Sequence, residues 1–421
     1  MKSERAIVSI VKDNIVETPE KYTQVDLQTV RKMIEKSIEL IGGLESILGN
    51  AKTVVVKPNL VEVPFKTTGG SVVTDPRVLE AAIGMLKDYG IERVIVAEGK
   101  SVNLKHIASG PRQTFEATGL GEVIRRAGGE IVGWDEEEFI QVEVPNGAVF
   151  ETIGIPKTIV EADAFIAIPK LKTHCQTEIT VGMKSMQGVF SVEDKQNFHN
   201  EAFPWKMVDI LRVAKPTLNI VDGLIAGEGY GPIYTDPVIM NLIVSSTDVV
   251  ALDAVCGKIM GFEPDEVPIT RLGHTEGIGI GVMDQIDVKG ETIEAVMKHF
   301  KRAAIWNPIG AHKNIKIFAG GSCRFCLAQV GATIKRLTYE NVIDDLEEIC
   351  IIIGYNAPLP QKKYKNVYLM GDCAKNAKIE GTFIGGCPPL PSVKIAQAFK
   401  KHLKSADGAQ EADSHSNGCC H

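Results

Sequence analysis

An apolar run, an amphipathic segment and a second apolar run follow one another between residues 53 and 99. The runs TVVVKPNLV and RVIVAEG are typical of buried strands, and DPRVLEAAIGMLKDYG between them has helical periodicity. Asp75 and Pro76 suit the start of that helix, and Gly90 suits its end. Because strands joined through a helix usually pair in parallel, this βαβ unit predicts an α/β fold.

The same alternation continues along the chain. ADAFIAIPKLKTH, LNIVDGLIAGEG and NLIVSSTD are further predicted strands, and DVVALDAVCGKIMG is a predicted helix. FIQVEVPNGAVF has the pattern of a hairpin that turns at Asn146 and Gly147. The pattern therefore predicts a mostly parallel sheet flanked by helices.

A second alternation begins after residue 313, where IKIFAGG, EICIIIGYN and NVYLMGD predict strands. CLAQVGATIKRL and PSVKIAQAFKKHLK predict helices in the same region. We therefore predict an α/β domain over 1–300 that contains an anion-binding crevice, and a smaller cysteine-containing α/β domain over 301–404. The stretch 405–421 is poor in apolar residues, so we expect a disordered tail.

Composition narrows the classes of partner. The net charge of −7 does not favour nucleic acid or an anionic membrane surface. No apolar stretch is long enough to span a bilayer, and the first residues lack the pattern of a signal peptide. Nine cysteines in such a chain point to metal or redox chemistry, so we expect a reducing cytoplasm.

Cationic side chains follow the apolar part of two predicted strands. Alternate residues of a strand share a face, so Lys170, Lys172 and His174 are expected on one side of the sheet. The ligand crevice of an open α/β sheet lies at the strand C-termini, which predicts a site for an anionic small molecule. We assign substrate binding to Lys57, Asn59, Lys170 and Lys184, and catalysis to Lys172 and His174. The alternative is that the lysines are solvated at strand ends and that His174 is a satisfied polar residue.

The acidic residues at the ends of the predicted strands give weaker predictions of function. Glu98 and Asp222 could bind a divalent ion or ligand hydroxyl groups. Asp248 suits a helix N-cap, and Asp253 lies among apolar residues, where a lysine partner is expected. The segment GEGYGP at 227–232 has the wrong glycine spacing for a dinucleotide loop and is expected to be a flexible loop over the crevice.

Four cysteines near the C-terminus lie in short glycine-bearing turns. They are Cys323 and Cys326 in GSCRFC, Cys373 in GDCAK, and Cys387 in GGCPP. The first pair has the spacing that lets two sulfurs reach one metal centre, and Pro388 follows the last cysteine, as in ferredoxin-type motifs. We expect these four residues to hold a [4Fe–4S] cluster.

Three other interpretations of the cysteines stay open. Zinc on four cysteines is the first, although zinc ribbons usually have two paired motifs. A dithiol redox pair at Cys323 and Cys326 is the second, since the segment is predicted to be strand, turn and helix. The third is four unrelated free cysteines, because cysteine is a common buried residue.

Seven segments together resemble the domain-of-unknown-function family 362 of bacteria and archaea, which is often associated with iron–sulfur modules. They are VVVKPNLV, the TDP at 74–76, VAEG, IPKLKTH, GMKSMQGVF, VDGLIAGEGYGP and SSTDVVALDAVCGKIMG. They run in family order over roughly residues 50–262. The resemblance implies an α/β fold and a redox setting. Many relatives carry a CxxCxxCxxxCP module, and this chain has the spread-out cysteines instead, so a single cluster is expected.

These observations favour an iron–sulfur redox enzyme that acts on an anionic small molecule, with a ferredoxin-type protein as a possible electron donor. One alternative is a non-redox lyase, isomerase or hydrolase in which a metal only stabilises the second domain. Another is a carrier that delivers a cluster or metal to other proteins.

Overall fold

The computed structural model describes residues 5–13, 24–61, 69–100, 110–303, 312–389 and 392–404. The predicted tail from residue 405 onwards lies outside these residues. The chain divides into two compact units, Met1–Ala304 and Ile305–His421.

The first unit is built on one large sheet. Its strands are β1 Ala6–Lys12, β2 Thr53–Pro58, β3 Arg93–Glu98, β4 Glu130–Gly133, β5 Phe139–Glu143, β6 Thr152–Pro156, β7 Ala164–Ile168, β8 Lys170–His174, β9 Glu178–Thr180, β10 Leu218–Tyr230, β11 Tyr234–Ser246 and β12 Ile286–Gly290. The main path of the sheet runs β12-β1-β11-β10-β7-β2-β3-β4, with β8 paired to β10 and β9. Strands β5 and β6 form a separate antiparallel pair, so a hairpin begins at Phe139 as predicted, but its second strand is Thr152–Pro156 and not the predicted GAVF segment.

Helices cover both faces of this sheet. They are α1 Gln24–Glu39, α2 Gly43–Leu48, α3 Pro76–Tyr89, α4 Pro111–Thr118, α5 Leu120–Arg126, α6 Lys157–Glu161, α7 Gly182–Ser185, α8 Val192–Gln196, α9 Phe203–Val213, α10 Val249–Ile259, α11 Pro268–Thr275 and α12 Ile293–Val296. On β11, Ile243 packs into the core under α1 and α3, whereas Leu242 and Val244 pack into the core under α10. This alternation places one helical layer on each face.

The predicted βαβ unit and its signals are confirmed. Strands β2 and β3 pair in parallel, and α3 lies between them in sequence. The Asp75 side chain accepts a hydrogen bond from Arg77 N–H, Pro76 is the first helical residue, and Gly90 ends the helix with φ 102°. Parallel pairing also joins β3 to β4, β2 to β7 and β7 to β10. The fold is the α/β class that the sequence predicts.

Two local expectations are wrong. The predicted strand ADAFIAIPKLKTH is divided at Pro169 into β7 and β8, because proline has no N–H to donate to a ladder. Glycines 227 and 229 lie within β10, which pairs with β11 as far as Tyr230 and Tyr234. Most of GEGYGP is therefore strand, and only its last residues form the connection to β11.

The second unit contains a smaller parallel sheet. Its elements are β13 Ile315–Ala319, α13 Arg324–Tyr339, β14 Ile349–Ile353, β15 Asn366–Met370, β16 Thr382–Ile384 and α14 Ser392–Lys400. The strands lie in the order β13-β14-β15-β16, and each pair is parallel. The strands and helices predicted for this region are therefore confirmed.

Candidate functional site

The lysine at the start of β8 is fully buried and paired. Lys170 Nζ donates to Asp222 Oδ2 at 2.7 Å, and neither side chain is exposed. The Asp75 N–H also donates to Asp222 Oδ2 at 2.6 Å, and the Leu224 N–H donates to Oδ1 at 3.1 Å. Asp222 therefore neutralises Lys170 inside the fold, and its oxygens are engaged by groups of the chain itself.

A second buried pair joins the ends of β2 and β3. Lys57 Nζ donates to Glu98 Oε2 at 2.5 Å, and Glu98 Oε1 accepts from the Gly99 N–H at 2.8 Å. Asn59 braces the neighbouring loop through hydrogen bonds to Thr74 Oγ1 and the Val72 carbonyl. Glu98 and Asp222 were expected to bind a divalent ion or ligand hydroxyl groups. In the structure each carboxylate is paired with a lysine instead.

Lys172 has no carboxylate partner among the residues that the structure describes. Its Nζ donates to the Val72 carbonyl at 2.7 Å, and the side chain is fully buried. Burial lowers the pKa of Lys172 well below its ordinary value, and the charges of Lys184, Lys170 and Lys57 lower it further. Lys172 therefore loses its proton more easily than an ordinary lysine.

The His174 ring is buried, and one of its hydrogen bonds decides the tautomer of the neutral ring. The Gln176 N–H donates to His174 Nδ1 at 3.0 Å, so Nδ1 is an acceptor. In the neutral imidazole the proton then sits on Nε2. His174 in that state offers a proton from Nε2 and cannot accept one there.

The segment GMKSMQG packs tightly between two buried carboxylates. Asp253 accepts hydrogen bonds from the Gly182 N–H at 2.7 Å and the Met183 N–H at 3.2 Å, and burial raises its pKa to about 8. The predicted lysine partner of Asp253 is therefore wrong, whereas Asp248 is the N-cap of α10 as expected. A Cβ on Gly188 would lie 1.9 Å from Glu98 Oε1 and 2.6 Å from Lys57 Cε, so only glycine fits there.

Lys184 lies in this segment and is only partly buried. Burial lowers its pKa to about 8, as does the charge of Lys57, while Cys175 and Glu98 act in the opposite direction. Its ammonium group makes no hydrogen bond or ion pair within the part of the chain that the structure describes. This distinguishes it from the paired lysines around it.

Sequence patterns missed two further lysines beside this segment. Lys195 Nζ donates to the Lys100 carbonyl at 2.7 Å, and Lys206 Nζ donates to the carbonyls of Asp194, Lys195 and Asn197. Burial is the main cause that lowers their pKa values, to about 8 for Lys195 and about 7 for Lys206. The charged stretch VEDKQNFHN resembles an exposed loop, and no periodic signal marked these side chains as buried.

His199 is held near the same cations. Its Nε2 is 3.0 Å from Gln176 Oε1, and burial together with Lys206 and Lys184 lowers its pKa to about 3. The ring is therefore neutral at pH 7. Within the described ranges, three buried polar atoms of this region have no hydrogen-bond partner: Gln176 Nε2, Gln187 Oε1 and His199 Nδ1. Unpaired buried polar atoms are uncommon and are expected where a ligand binds.

The cysteine pair lies at the start of α13. Cys323 is the N-cap residue, and Cys326 lies in the first turn of the helix. The Cys326 side chain is buried, and Cys323 is partly exposed. Consecutive turns of a helix bring such residues to one side, so both thiols point towards the same region.

Two glycine turns bring the other cysteines to this helix. A Cβ on Gly371, whose φ is 82°, would lie 3.1 Å from Cys326 Sγ. The Asp372 N–H donates to the Gly386 carbonyl at 3.2 Å, and the Gly386 N–H donates back to Asp372 Oδ1 at 2.8 Å. The turns that carry Cys373 and Cys387 are therefore tied together beside Cys326.

The four thiols also interact electrostatically. A hydrogen bond with Cys323 is the largest cause that raises the pKa of Cys326, followed by burial and by the charges of Cys323, Cys387 and Cys373. Such interactions act over about 10 Å, so the thiols share one neighbourhood. In the described residues, no three histidine, cysteine or acidic side chains are yet positioned to hold a metal ion.

The donor chemistry nevertheless fits a metal cluster. Cys373 and Cys387 are exposed, so their side chains can rotate between staggered conformers at little cost. Four soft thiolates suit iron–sulfur clusters or zinc. The assignment of these four residues as ligands stays a prediction.

A known family matches part of the first unit. Residues 54–258 match the model of the family described as Domain of unknown function (DUF362). This segment is a DUF362 domain. The match contains every lysine of the site, His174 and Asn59, and the four cysteines lie outside it.

The chain is also similar to a curated protein. The chain is 30% identical over 166 residues to the "Thylakoid-associated protein sll1697" of Synechocystis, an alignment that covers 38% of this chain and 52% of that protein. The chain thus spans about half the length of this relative. Among the described residues, no helix has the length and apolar character required to cross a bilayer.

Two solved structures share weak similarity with the chain. One is the lactate racemase apoprotein from Thermoanaerobacterium thermosaccharolyticum, with a TM-score of 0.35, 18% identity and 55% of each chain covered. The other is a protein from Thermotoga maritima, with a TM-score of 0.35 and 15% identity over 57% of this chain and 59% of that chain. We draw nothing about function from similarities of this size.

Proposed function

We propose that this protein is an iron–sulfur redox enzyme. Cys323, Cys326, Cys373 and Cys387 would hold one [4Fe–4S] cluster, and the DUF362 domain would bind an anionic small molecule. Free thiols and an oxygen-sensitive cluster suit a reducing cytoplasm, where a ferredoxin-type protein could deliver the electrons.

The observation that carries the cluster proposal is the convergence of three segments on one thiol. Cys326 Sγ lies against Gly371, and reciprocal hydrogen bonds tie the Cys373 turn to the Cys387 turn. Glycine at these positions lets backbone N–H groups approach the sulfurs, an arrangement that helps to set cluster potential. A bound cluster would supply single electrons.

The charges of the DUF362 domain support the anion-binding half of the proposal. Lys57 and Lys170 are neutralised by carboxylates, so their role would be to build the wall of the site with Asn59. Lys184 keeps an uncompensated charge at a partly exposed position, which would attract an anion. Lys172, whose pKa is lowered by burial, would accept a proton, and His174 would donate one from Nε2.

A structural zinc site is the second candidate. It is favoured by the position of the cysteines outside the family match, since a metal there could simply stabilise the second unit. The DUF362 domain would then act as a non-redox lyase, isomerase or hydrolase.

Anaerobic purification of the full-length protein tests the proposal. We expect about four iron and four sulfide per chain, and an EPR signal after reduction. Cys326→Ser should lose most of the iron. Cys350→Ala is the matched control, because Cys350 is a buried cysteine of the same unit that lies in β14. Zinc without sulfide would select the second candidate.

A further inference from the structure

Lys184 differs from the buried lysines that surround it. Each of the others donates to a carboxylate or a carbonyl group of the chain; they are Lys57, Lys170, Lys172, Lys195 and Lys206. Within the described residues, Lys184 has no such acceptor. Because Lys184 is partly exposed, water or a bound anion can accept from its ammonium group, and the neighbouring cations favour the anion.

The backbone that carries Lys184 is held firmly. Helix α7 is capped by Asp253, which accepts from the Gly182 and Met183 N–H groups. Four residues after Lys184, Gly188 packs against the Lys57–Glu98 pair. The side chain of Lys184 therefore projects from a fixed position, as a positioned reactive group requires.

The groups around Lys184 favour its neutral amine form. Burial and the charge of Lys57 lower its pKa to about 8, against the effects of Cys175 and Glu98. A lysine becomes nucleophilic when desolvation and neighbouring cations remove its proton. Lys172 is also depleted of its proton, but it is fully buried and donates to the Val72 carbonyl. Lys184 is the member of the cluster that combines partial exposure with a missing acceptor.

We propose that Lys184 forms an imine with a carbonyl-bearing anion of the 2-oxo acid class. The Nζ lone pair attacks the carbonyl carbon, a C=N bond replaces the C=O bond, and the carbonyl oxygen leaves as water with the two amine hydrogens. No oxidant or reductant is consumed. This inference rests on the anion-binding half of the proposed function and is independent of the cluster.

The side chains around Lys184 suit the carboxylate and the other polar groups of a 2-oxo acid. Lys195 and Lys206 lie near enough for the charge of Lys184 to lower their pKa values, and they donate to carbonyl groups, so their positive charges would attract a carboxylate. His199, close enough for the charge of Lys184 to lower its pKa, presents an unpaired Nδ1, and Gln176 presents an unpaired Nε2. A 2-oxo acid offers acceptors to the amide and, where it carries a hydroxyl group, a donor to the imidazole.

Reductive trapping on the full-length protein tests the proposal. The protein is incubated with pyruvate and cyanoborohydride near pH 7, and the modified lysines are located by peptide mass spectrometry. We expect Lys184 to be labelled at least about tenfold faster than exposed lysines, because a pKa lower by two units raises the neutral fraction about a hundredfold. Lys184→Arg should abolish this fast labelling. Lys258→Arg, at a partly exposed lysine paired with Glu263, should leave it unchanged.

Oxalate binding separates failure of the imine from failure of the site. Oxalate is an anion without a ketone, and its binding is measured by calorimetry on the wild type and Lys184→Gln. Oxalate binding without fast labelling of Lys184 would overturn the imine and leave the anion site standing. If neither oxalate nor pyruvate binds, the anion-binding half of the proposed function fails as well. Uniform labelling of many lysines would also overturn the inference.

Discussion

The lysine cluster of the DUF362 domain and the cysteine turns of the second unit differ in the groups that surround their ionisable side chains. In the first region, two buried ammonium groups have carboxylates within 2.7 Å, so the fold itself neutralises them. In the second region, Cys326 lies close to three other thiols, and their charges raise its pKa instead of compensating it. We therefore expect the first region to form without a metal, whereas the proposed cluster would complete the second region.

Removing one carboxylate should give the largest effect. Asp222→Asn leaves Lys170 fully buried without its counter-charge, and such a change costs about 3–5 kcal/mol. The measurement is the free energy of unfolding from urea titration of the full-length protein. Glu116→Gln at the exposed Arg125 pair is the control, with an expected cost of at most about 1 kcal/mol. Equal effects of the two changes would mean that the buried pair does not organise the domain.

Cluster loading should stabilise the second unit alone. A ligand that binds only the folded state at about a hundred times its dissociation constant adds about 3 kcal/mol. Hydrogen exchange of the apo and iron-loaded protein should show slower exchange in 312–389 and little change in 69–100. Uniform slowing across both units would contradict the contrast between the two regions.

Gly188 tests how tightly the first region is packed. Gly188→Ala places a Cβ 1.9 Å from Glu98 Oε1, so we expect a loss of about 1–3 kcal/mol from overpacking. Gly257→Ala, within α10, is the control, because a Cβ there meets nothing nearer than 3.7 Å. That change should be neutral or stabilise by up to about 1 kcal/mol. Unfolding of the two variants under identical conditions provides the comparison.

The elements of the fold were predictable from local patterns. The run VVVK and the segment RVIVAE each carry strong periodic signals, and both form strands as expected. The Lys57–Glu98 pair was not recognised, because it requires the register of two parallel strands, in which Val56 lies opposite Val96. The register of two paired strands cannot be read from the sequence of either strand.

The site was predictable only in part, since charge pairing depends on long-range contacts. Lys170 and Asp222 lie opposite each other on β8 and β10, separated by 52 residues. Lys195 and Lys206 were missed because carbonyl groups from nearby loops bury and satisfy them. No pattern in one segment identifies such partners.

The Asp253 carboxyl group should make the free energy of unfolding depend on pH. The expected change per pH unit is smaller than the effect expected of Asp222→Asn. Its folded pKa of about 8 lies above the ordinary value of 3.8, so the folded state holds the extra proton between these values. Stability should therefore fall as pH rises towards about 8, by at most about 1.4 kcal/mol per pH unit.

The difference between the wild type and Asp253→Asn isolates this effect. Asp248, whose charge acts on Asp253, stays in both proteins, and the pKa of the Cys256 thiol is raised above this window. Between pH 6 and pH 7, the unfolding free energy of the wild type should fall relative to that of Asp253→Asn by at most about 1.4 kcal/mol. Parallel pH profiles would show that the Asp253 carboxyl group does not carry the proton.

X-ray absorption at the iron and zinc edges tests the central claim about the cysteine turns most directly. The account predicts iron surrounded by sulfur, with a second iron nearby, in anaerobically purified protein, and loss of that signal in Cys326→Ser but not in Cys350→Ala. Zinc with four sulfur neighbours at about 2.3 Å, or no bound metal after reconstitution with iron and sulfide, would contradict it.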